Sequence, residues 1–284
     1  MKLAFKILLI LLIVGGIAFV VVKSFGGVGD AKVEEVKVTE FERHIDARVT
    51  EEIAGKDYED ALDAFEDIAA EIFTESKVTT SDGQPSITED EKERTLKRAF
   101  YEFHPIFLNH TKAYFRRSSW NTSDMEDFQD VSESLIEMEI AERNTMAYTD
   151  LQNIIQIVKD YNTARRLVGN YSVSTLAALE NYISQVRTYR TKEPLKNNTS
   201  LVSDLNQAES NAKRHYADKL IAVCNNIAAN YRNYGSYENF YDAYNSVSSS
   251  ISSYVNKYGN DGRFSTARSN LNAADQYAMS YYSN

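Results

Sequence analysis

Apolar side chains recur at helical spacing along most of this chain of 284 residues. One such stripe, in steps of four and three, follows Leu96, Phe100, Phe103, Phe107, His110 and Tyr114. Another follows Tyr237, Tyr241, Tyr244, Ser248, Ile251, Val255 and Tyr258. Because a stripe of this kind lies along one side of a helix, it must be buried against a neighbouring helix. Strict alternation of apolar and polar residues is confined to short stretches, the best being residues 32–38, so the sequence predicts an all-α fold.

Residues typical of helix N-caps divide the chain into separate helices. Capping-box patterns begin at Thr39, Thr88 and Ser123. In this motif a Ser or Thr and a Glu three residues later each accept a hydrogen bond from the other's backbone amide. Single N-caps are expected at Asp57, Thr149, Ser174, Thr199, Ser236 and Ser265. The predicted body therefore has about nine helices, packed as antiparallel hairpins in a bundle or a short array. They are residues 40–54, 58–75, 89–117, 124–146, 150–168, 175–190, 200–234, 237–258 and 265–282.

Short links predict which helices are neighbours. Helices 200–234 and 237–258 are separated by two residues, so they must be antiparallel neighbours. Their facing stripes are expected to be Leu220, Val223, Ile227 and Tyr231 on the first helix, and Tyr241, Tyr244, Ile251 and Val255 on the second. Residues 55–65 and 235–244 also resemble the turn and second helix of a tetratricopeptide hairpin, which implies a close-packed helix pair at each place.

The N-terminal segment predicts a membrane anchor. Residues 3–22 contain one charge, Lys6, and would reach about 30 Å as a helix, enough to cross the hydrocarbon core of a bilayer. The charge-free part, residues 7–22, is slightly longer than the apolar core of a cleaved signal peptide. A signal-anchor is therefore favoured, and cleavage near the small residues 27–29 is the alternative. Few residues precede the apolar segment and a long chain follows it. This layout predicts a single-pass protein with a cytoplasmic N-terminus and an extracytoplasmic helical part, periplasmic or at the cell surface.

Charge is distributed unevenly along the chain. Lys and Arg number 31 against 41 Asp and Glu, a net charge of −10. Residues 30–150 hold 14 basic and 31 acidic residues, net −17, whereas residues 151–284 hold 14 basic and 10 acidic residues, net +4, and are rich in Tyr, Asn and Ser. With residues 1–29 as anchor and linker, the body is either two helical subdomains that meet near residue 150 or one continuous array. The short connections favour the array.

Patterns typical of catalysis, of a metal site or of a cofactor site are missing from the sequence. His104 and His110 lie six positions apart, on different faces of a helix, and no Glu-x-x-His is present. Cys224 follows an apolar run and is expected to be an inert core residue. Acid pairs such as Glu126 and Asp127 are expected to point apart around a helix, and phosphate-binding glycine loops are absent. We therefore predict no catalytic, metal-ligating or cofactor-binding residues, and the acidic charge disfavours nucleic acid as a partner.

Aromatic residues supply the candidate contact surface. The side chains considered for contact with a partner or ligand are Tyr231, Tyr234, Tyr237, Tyr241 and Trp120. An aromatic groove binds peptides or sugars through its ring faces and hydroxyls. Tyrosines at this spacing also serve as packing between helices, with hydroxyls that reach water. Ile251 and Val255 lie on the same stripe, which favours packing.

Three functional hypotheses follow from these features. The leading one is a non-enzymatic, membrane-anchored, extracytoplasmic helical module or scaffold that binds another protein of the cell envelope. The alternative is a receptor for a peptide or glycan that uses the Tyr-rich C-terminal helices, and an envelope hydrolase is the third. The predicted anchor, the helical hairpins and the lack of a catalytic pattern favour the first.

Removal of residues 1–29 is expected to leave a soluble, folded protein with a strongly helical circular dichroism spectrum. The reason is that residues 30–284 are numerous enough to bury a core of their own. Aggregation of the truncated chain, or loss of its helical spectrum, would show that the apolar segment belongs to the fold.

Overall fold

Nine α-helices form the part of the chain that the computed structural model describes, residues 38–81 and 83–283. They are α1 Glu40–Arg48, α2 Tyr58–Glu75, α3 Glu89–Tyr114, α4 Thr122–Glu137, α5 Met146–Gly169, α6 Leu176–Thr191, α7 Thr199–Ala229, α8 Tyr237–Tyr258 and α9 Arg263–Tyr282. A π-helical turn, Val49–Ile53, extends α1, and short 3₁₀ segments lie at Leu195–Asn197 and Tyr231–Tyr234. The prediction of an all-α fold is confirmed.

The predicted membrane span, residues 3–22, lies outside the described residues. Within the described ranges, none of the helices combines the length and the apolar character that a membrane crossing requires.

Several predicted helix starts are confirmed by their capping contacts. At α1 the backbone amide of Glu42 donates to Thr39 Oγ1 at 3.1 Å, and the amide of Thr39 donates to Glu42 Oε2 at 2.9 Å. The same reciprocal box forms between Thr88 and Glu91 at the start of α3. Asp57 and Ser236 cap α2 and α8 as the sequence predicts.

The predicted fourth helix, residues 124–146, is too long. Helix α4 ends at Glu137, and Glu139 then adopts a left-handed backbone with φ of 55°. The apolar pattern continues beyond this point because Ile140 is buried in the turn, so the spacing of apolar residues does not mark the break. Thr145, and not Thr149, caps the next helix, since its Oγ1 accepts the amide of Tyr148 at 3.3 Å.

Four other predicted caps are displaced by one to three residues. Asn121 replaces Ser123, Thr175 replaces Ser174, Asn198 replaces Thr199, and α9 starts after Gly262 without a side-chain cap where Ser265 was expected. In three of these places a competing Asn or Thr lies within two residues of the predicted cap, and sequence alone does not rank them.

The described residues form two compact units, which meet in the sequence between Val158 and Lys159, inside α5. In the first unit, Phe100, Phe103 and Phe107 of α3 are fully buried. Phe65 of α2 stacks on Phe103 with ring centroids 4.9 Å apart. The buried Glu42 links α1 to α3, because its Oε1 lies 2.6 Å from Nε of Arg94.

In the second unit α7 is the common partner of α6, α8 and α9. The predicted facing stripes are partly wrong. On α7, Leu220 and Ile227 are buried as expected, but Cys224 takes the place of Val223, which is 47% exposed. On α8, Ile251 is buried together with Phe240, Val247 and Tyr254, whereas Tyr241 is 42% exposed. The fully apolar side chains occupy the interface, and the first tyrosines of α8 lie at its edge, because a phenol loses more by desolvation than a phenyl ring does.

Ile251→Ala is expected to lower the free energy of unfolding by about 2–5 kcal/mol, because the side chain is fully buried and its loss leaves a cavity. The matched control is Val223→Ala on the neighbouring helix, where the exposed side chain should matter by no more than about 0.5 kcal/mol. Chemical denaturation of both variants measures the difference. A neutral Ile251→Ala would contradict the helix packing described for α7 and α8.

Candidate functional site

A pocket of about 360 Å³ opens in the first unit between α2, the end of α3 and α4. We call it the acidic pocket. Its acidic lining residues are Glu59, Asp63, Glu66, Asp124, Asp127 and Asp130. The remaining lining residues are Tyr58, Leu62, His110, Tyr114, Arg117, Phe128 and Val131. Carboxylates thus surround an opening whose walls are largely aromatic.

Helical periodicity places these side chains together. On α2, Tyr58, Leu62 and Glu66 are four residues apart and lie on one face. That face borders the buried stripe of Ala61, Phe65 and Ile68, so the pocket residues are partly covered and not fully buried. On α4, residues 124, 127, 128 and 131 repeat the spacing of one helix face.

Aromatic rings form the wall of the acidic pocket. The ring of Tyr58 stacks on the His110 imidazole with centroids 4.2 Å apart and an interplanar angle of 25°. Phe128 of α4 meets Tyr114 edge to face at 5.0 Å and reaches the core ring of Phe107 at 6.3 Å. These contacts connect the pocket wall directly to the buried core, which fixes the position of the wall.

The carboxylates of the pocket are far in excess of its cations. Among the described residues that line it, Arg117 is the only Arg or Lys, and its guanidinium carbon lies 4.8 Å from the centroid of the Tyr114 ring. Burial, together with the nearby carboxylates of Asp63 and Asp67, raises the pKa of Glu66 to about 7. Near neutral pH this carboxyl group is therefore divided between its two protonation states.

Two other ionisable groups of the pocket are held neutral. Burial raises the pKa of the Tyr58 hydroxyl, and the charge of Asp127 adds to the effect. Burial lowers the pKa of His110, and Arg117 lowers it further. Among the described residues, neither the Tyr58 hydroxyl nor the Glu66 carboxyl group has a hydrogen-bond partner. Both are placed to receive a ligand group.

The arrangement suits a cationic ligand. Carboxylates supply opposite charge and hydrogen-bond acceptors, and the aromatic wall offers π-electron density and apolar surface to the methylene stem of a Lys or Arg side chain. The volume is at the lower end of the range found for ligand pockets. An amine or guanidinium group on a short stem fits these properties.

Other reactive side chains of the described chain lie elsewhere. Nε2 of His104 is buried without a hydrogen-bond partner, 3.8 Å from Oδ2 of Asp150, and burial lowers the pKa of this imidazole. Cys224 is buried in the second unit, and burial raises the pKa of its thiol, as expected for an unreactive core residue. No group of three or more His, Cys, Asp or Glu side chains in the described ranges is arranged to hold a metal ion.

The contact residues predicted from the sequence have different surroundings in the structure. Trp120 is 7% exposed, packs against Phe115 and donates from Nε1 to the carbonyl of Arg117 at 3.1 Å, so it belongs to the core of the first unit. Tyr231 stacks on Tyr277 of α9 at 6.2 Å. Tyr234 meets Phe240 edge to face at 5.7 Å.

Tyr237 and Tyr241 are the two predicted contact residues that the structure brings together. Their rings stack at 5.7 Å, and Tyr241 stacks in turn on Tyr244. The expectation that the tyrosine hydroxyls simply reach water is wrong for two of them. The hydroxyl of Tyr237 donates to Asp275 at 3.0 Å, and that of Tyr244 donates to Asn272 at 2.8 Å. These bonds connect α8 to α9, so both hydroxyls have a structural role.

The acidic pocket was not predicted from the sequence. Adjacent acid pairs do diverge around a single helix, but Asp127 converges with Glu59, Asp63 and Glu66 because they lie on a different helix. The sequence does carry one sign of this pocket. Acidic residues recur beside the apolar stripes of α2 and α4, at residues 59, 63 and 66 and at 124 and 127.

No known protein family, curated protein or solved structure matches this chain.

Glu66→Gln is expected to raise the melting temperature above pH 7 by a few degrees and to leave it nearly unchanged near pH 4. Glu66 binds its proton more tightly in the folded chain, where its pKa is about 7, than in the unfolded chain, where it is near 4.5. Its stabilising contribution is therefore complete below pH 4.5 and is lost as the pH rises through 7.

Thermal unfolding of both proteins across this pH range measures the effect. Glu126→Gln is the matched control, since Glu126 is an exposed residue of α4 that does not line the pocket. Equal changes in the two variants at every pH would contradict the special environment of Glu66.

Proposed function

We propose that this protein is a non-enzymatic, membrane-anchored binding module of the cell envelope, and that its first unit captures a basic side chain of a partner protein in the acidic pocket. Residues 3–22 would serve as the anchor and leave the helical body on the extracytoplasmic side. The observation that carries the proposal is the acidic pocket, in which six carboxylates surround an aromatic wall and one Arg.

The charge of the pocket supports a cation as the ligand. Excess carboxylates held close together repel one another, and Asp63 and Asp67 already disfavour the ionised form of Glu66. A bound Lys or Arg relieves this repulsion. Part of the binding free energy therefore comes from the reduced repulsion between the carboxylates of the pocket. A neutral ligand would leave this repulsion unrelieved, and an anionic ligand would add to it.

The chemistry of the pocket supports binding over catalysis. An amine or guanidinium group has no bond that carboxylates of this kind would cleave, and Tyr58 and His110 are neutral groups stacked against each other. The stacked rings hold the wall rigid, which lowers the entropy cost of binding. In many protein–protein interfaces, one side chain fills a preformed pocket of the partner and contributes much of the binding free energy.

The test uses a fluorescent hexalysine peptide and the full chain in a neutral detergent. The wild-type protein should bind this peptide, and a hexaglutamate peptide of the same length should not compete with it for the acidic pocket. The double variant Asp63→Asn, Glu66→Gln should weaken binding roughly tenfold, because the pocket loses one exposed and one half-buried carboxylate that would pair with the ligand. Fluorescence anisotropy at fixed ionic strength measures the dissociation constants.

The control is Glu126→Gln, which alters an exposed carboxylate outside the pocket and should leave affinity within about twofold of the wild type. If the control weakens binding as much as the pocket variant does, the attraction is a general effect of the acidic chain and the proposal is wrong. Binding that is lost in Tyr241→Ala and kept in the pocket variant would move the site to the tyrosine-rich helices.

A further inference from the structure

The second unit carries a groove of opposite character. It is an open depression of about 710 Å³ between one face of α6 and the end of α8. We call it the basic groove, and its charged lining residues are Glu180, Arg187, Arg190 and Lys257. Arg187, Arg190 and Lys257 are its cations, and none of its residues takes part in the acidic pocket.

A buried carboxylate positions the arginines of the groove. Glu209 of α7 is 6% exposed. Its Oε1 lies 3.0 Å from Nη2 of Arg187 and 2.7 Å from Nζ of Lys213, and its Oε2 lies 3.3 Å from Nη1 of Arg190. Burial alone would raise the pKa of Glu209, but the bonds from Lys213 and Arg187 outweigh that effect and hold it below its usual range. The carboxylate therefore stays charged and fixes the cations around it.

Both arginine side chains keep donors available to the solvent. The side chain of Arg187 is 55% exposed and that of Arg190 is 31% exposed, although each bonds to Glu209. Arg190 is oriented further by Asn206, whose Oδ1 lies 2.6 Å from its Nη1. A guanidinium has five N–H donors, so one or two bonds to the protein leave others for a ligand.

The charges of the groove do not cancel. Arg187, Arg190, Lys213 and Lys257 carry four positive charges against the two negative charges of Glu180 and Glu209, which leaves an excess of two. Lys257 of α8 pairs with Glu180 of α6, and both side chains are about half exposed. An exposed pair of this kind exchanges readily with a competing anion, because it contributes little to stability.

We infer that the basic groove is a second binding site, which takes a phosphate ester group. A phosphate monoester carries close to two negative charges and three acceptor oxygens, which match the charge excess and the several donors of the groove. A carboxylate has two oxygens and one charge, and a single arginine satisfies it. The open shape of the groove also accepts a phosphate on an extended molecule, such as a lipid headgroup or a soluble phosphate ester.

The test uses the full chain in a neutral detergent with two probes, tripolyphosphate and short-chain phosphatidic acid, a phosphate monoester, mixed into the micelles. Calorimetry for the first probe and a change in tyrosine fluorescence or chemical shift for the second measure binding. If the natural ligand is a soluble phosphate compound, tripolyphosphate should bind, and if it is a lipid headgroup, phosphatidic acid should bind. Either result supports the site only if the variants below respond as expected.

Arg187→Gln should weaken binding roughly tenfold, the effect of losing one charge-assisted hydrogen bond. Glu180→Gln should strengthen it by a few-fold, because Lys257 is then released from its partner. An increase in affinity does not arise from misfolding, so this variant keeps the test informative if Arg187→Gln is unstable. Arg166→Gln is the matched control, since Arg166 is an exposed arginine of the same unit that does not line the groove.

Three results would overturn the inference. One is the absence of binding for both probes at moderate ionic strength. Another is an equal loss of affinity in Arg187→Gln and Arg166→Gln, which would mean general attraction to the basic unit. The last is binding of hexaglutamate as tight as that of tripolyphosphate, which would show that the groove does not select phosphate. Each of these leaves the proposal for the acidic pocket unaffected, because that site lies in the other unit and takes ligands of opposite charge.

Discussion

The column of phenylalanine rings on α3 is the interaction on which the first unit depends. Phe100, Phe103 and Phe107 are fully buried, and Phe65 brings α2 onto the column by stacking on Phe103. Phe128 brings α4 onto its far end through Phe107. Phe128 also lines the acidic pocket and meets Tyr114 edge to face there, so the packing of the core positions one wall of the pocket.

The second unit is organised by α7, whose buried face includes alanines that allow close approach by its neighbours as well as the buried Glu209. A carboxylate buried this deeply is tolerated because three cations surround it. The charge thus connects α6 to α7 and at the same time holds two arginines at the edge of the basic groove. The same residues therefore contribute to both the fold and the proposed site.

Much of the fold was predictable because helix formation here depends on local patterns. All nine helices were anticipated, and the capping boxes at Thr39 and Thr88 were placed correctly. The end of α4 was missed because Glu139 adopts a positive φ without the glycine that normally marks such a position, while Ile140 continues the apolar pattern. The stripe on α8 was misassigned because tyrosine counts as apolar in a spacing argument, although Phe240 and Val247 are the residues that lie in the core.

The sites were not predictable in the same way, since each is assembled from helices far apart in the sequence. The acidic pocket needs Glu66 and Asp127, which are separated by 61 positions, and nothing local to either residue indicates the other. The aromatic spacing did draw attention to Tyr237 and Tyr241, but their rings and hydroxyls mainly connect helices. Spacing along one helix identifies a face, whereas the convergence of two faces is a tertiary property.

The chain holds a single tryptophan and a single cysteine, and they lie in different units. Trp120 is buried beside Phe115 in the first unit, and Cys224 of α7 is fully buried in the second. Indole fluorescence therefore monitors the first unit alone, while the rate at which a thiol reagent modifies the cysteine monitors opening of the second. If both signals change together during unfolding, the two units unfold cooperatively. The natural sequence allows this measurement without an engineered label.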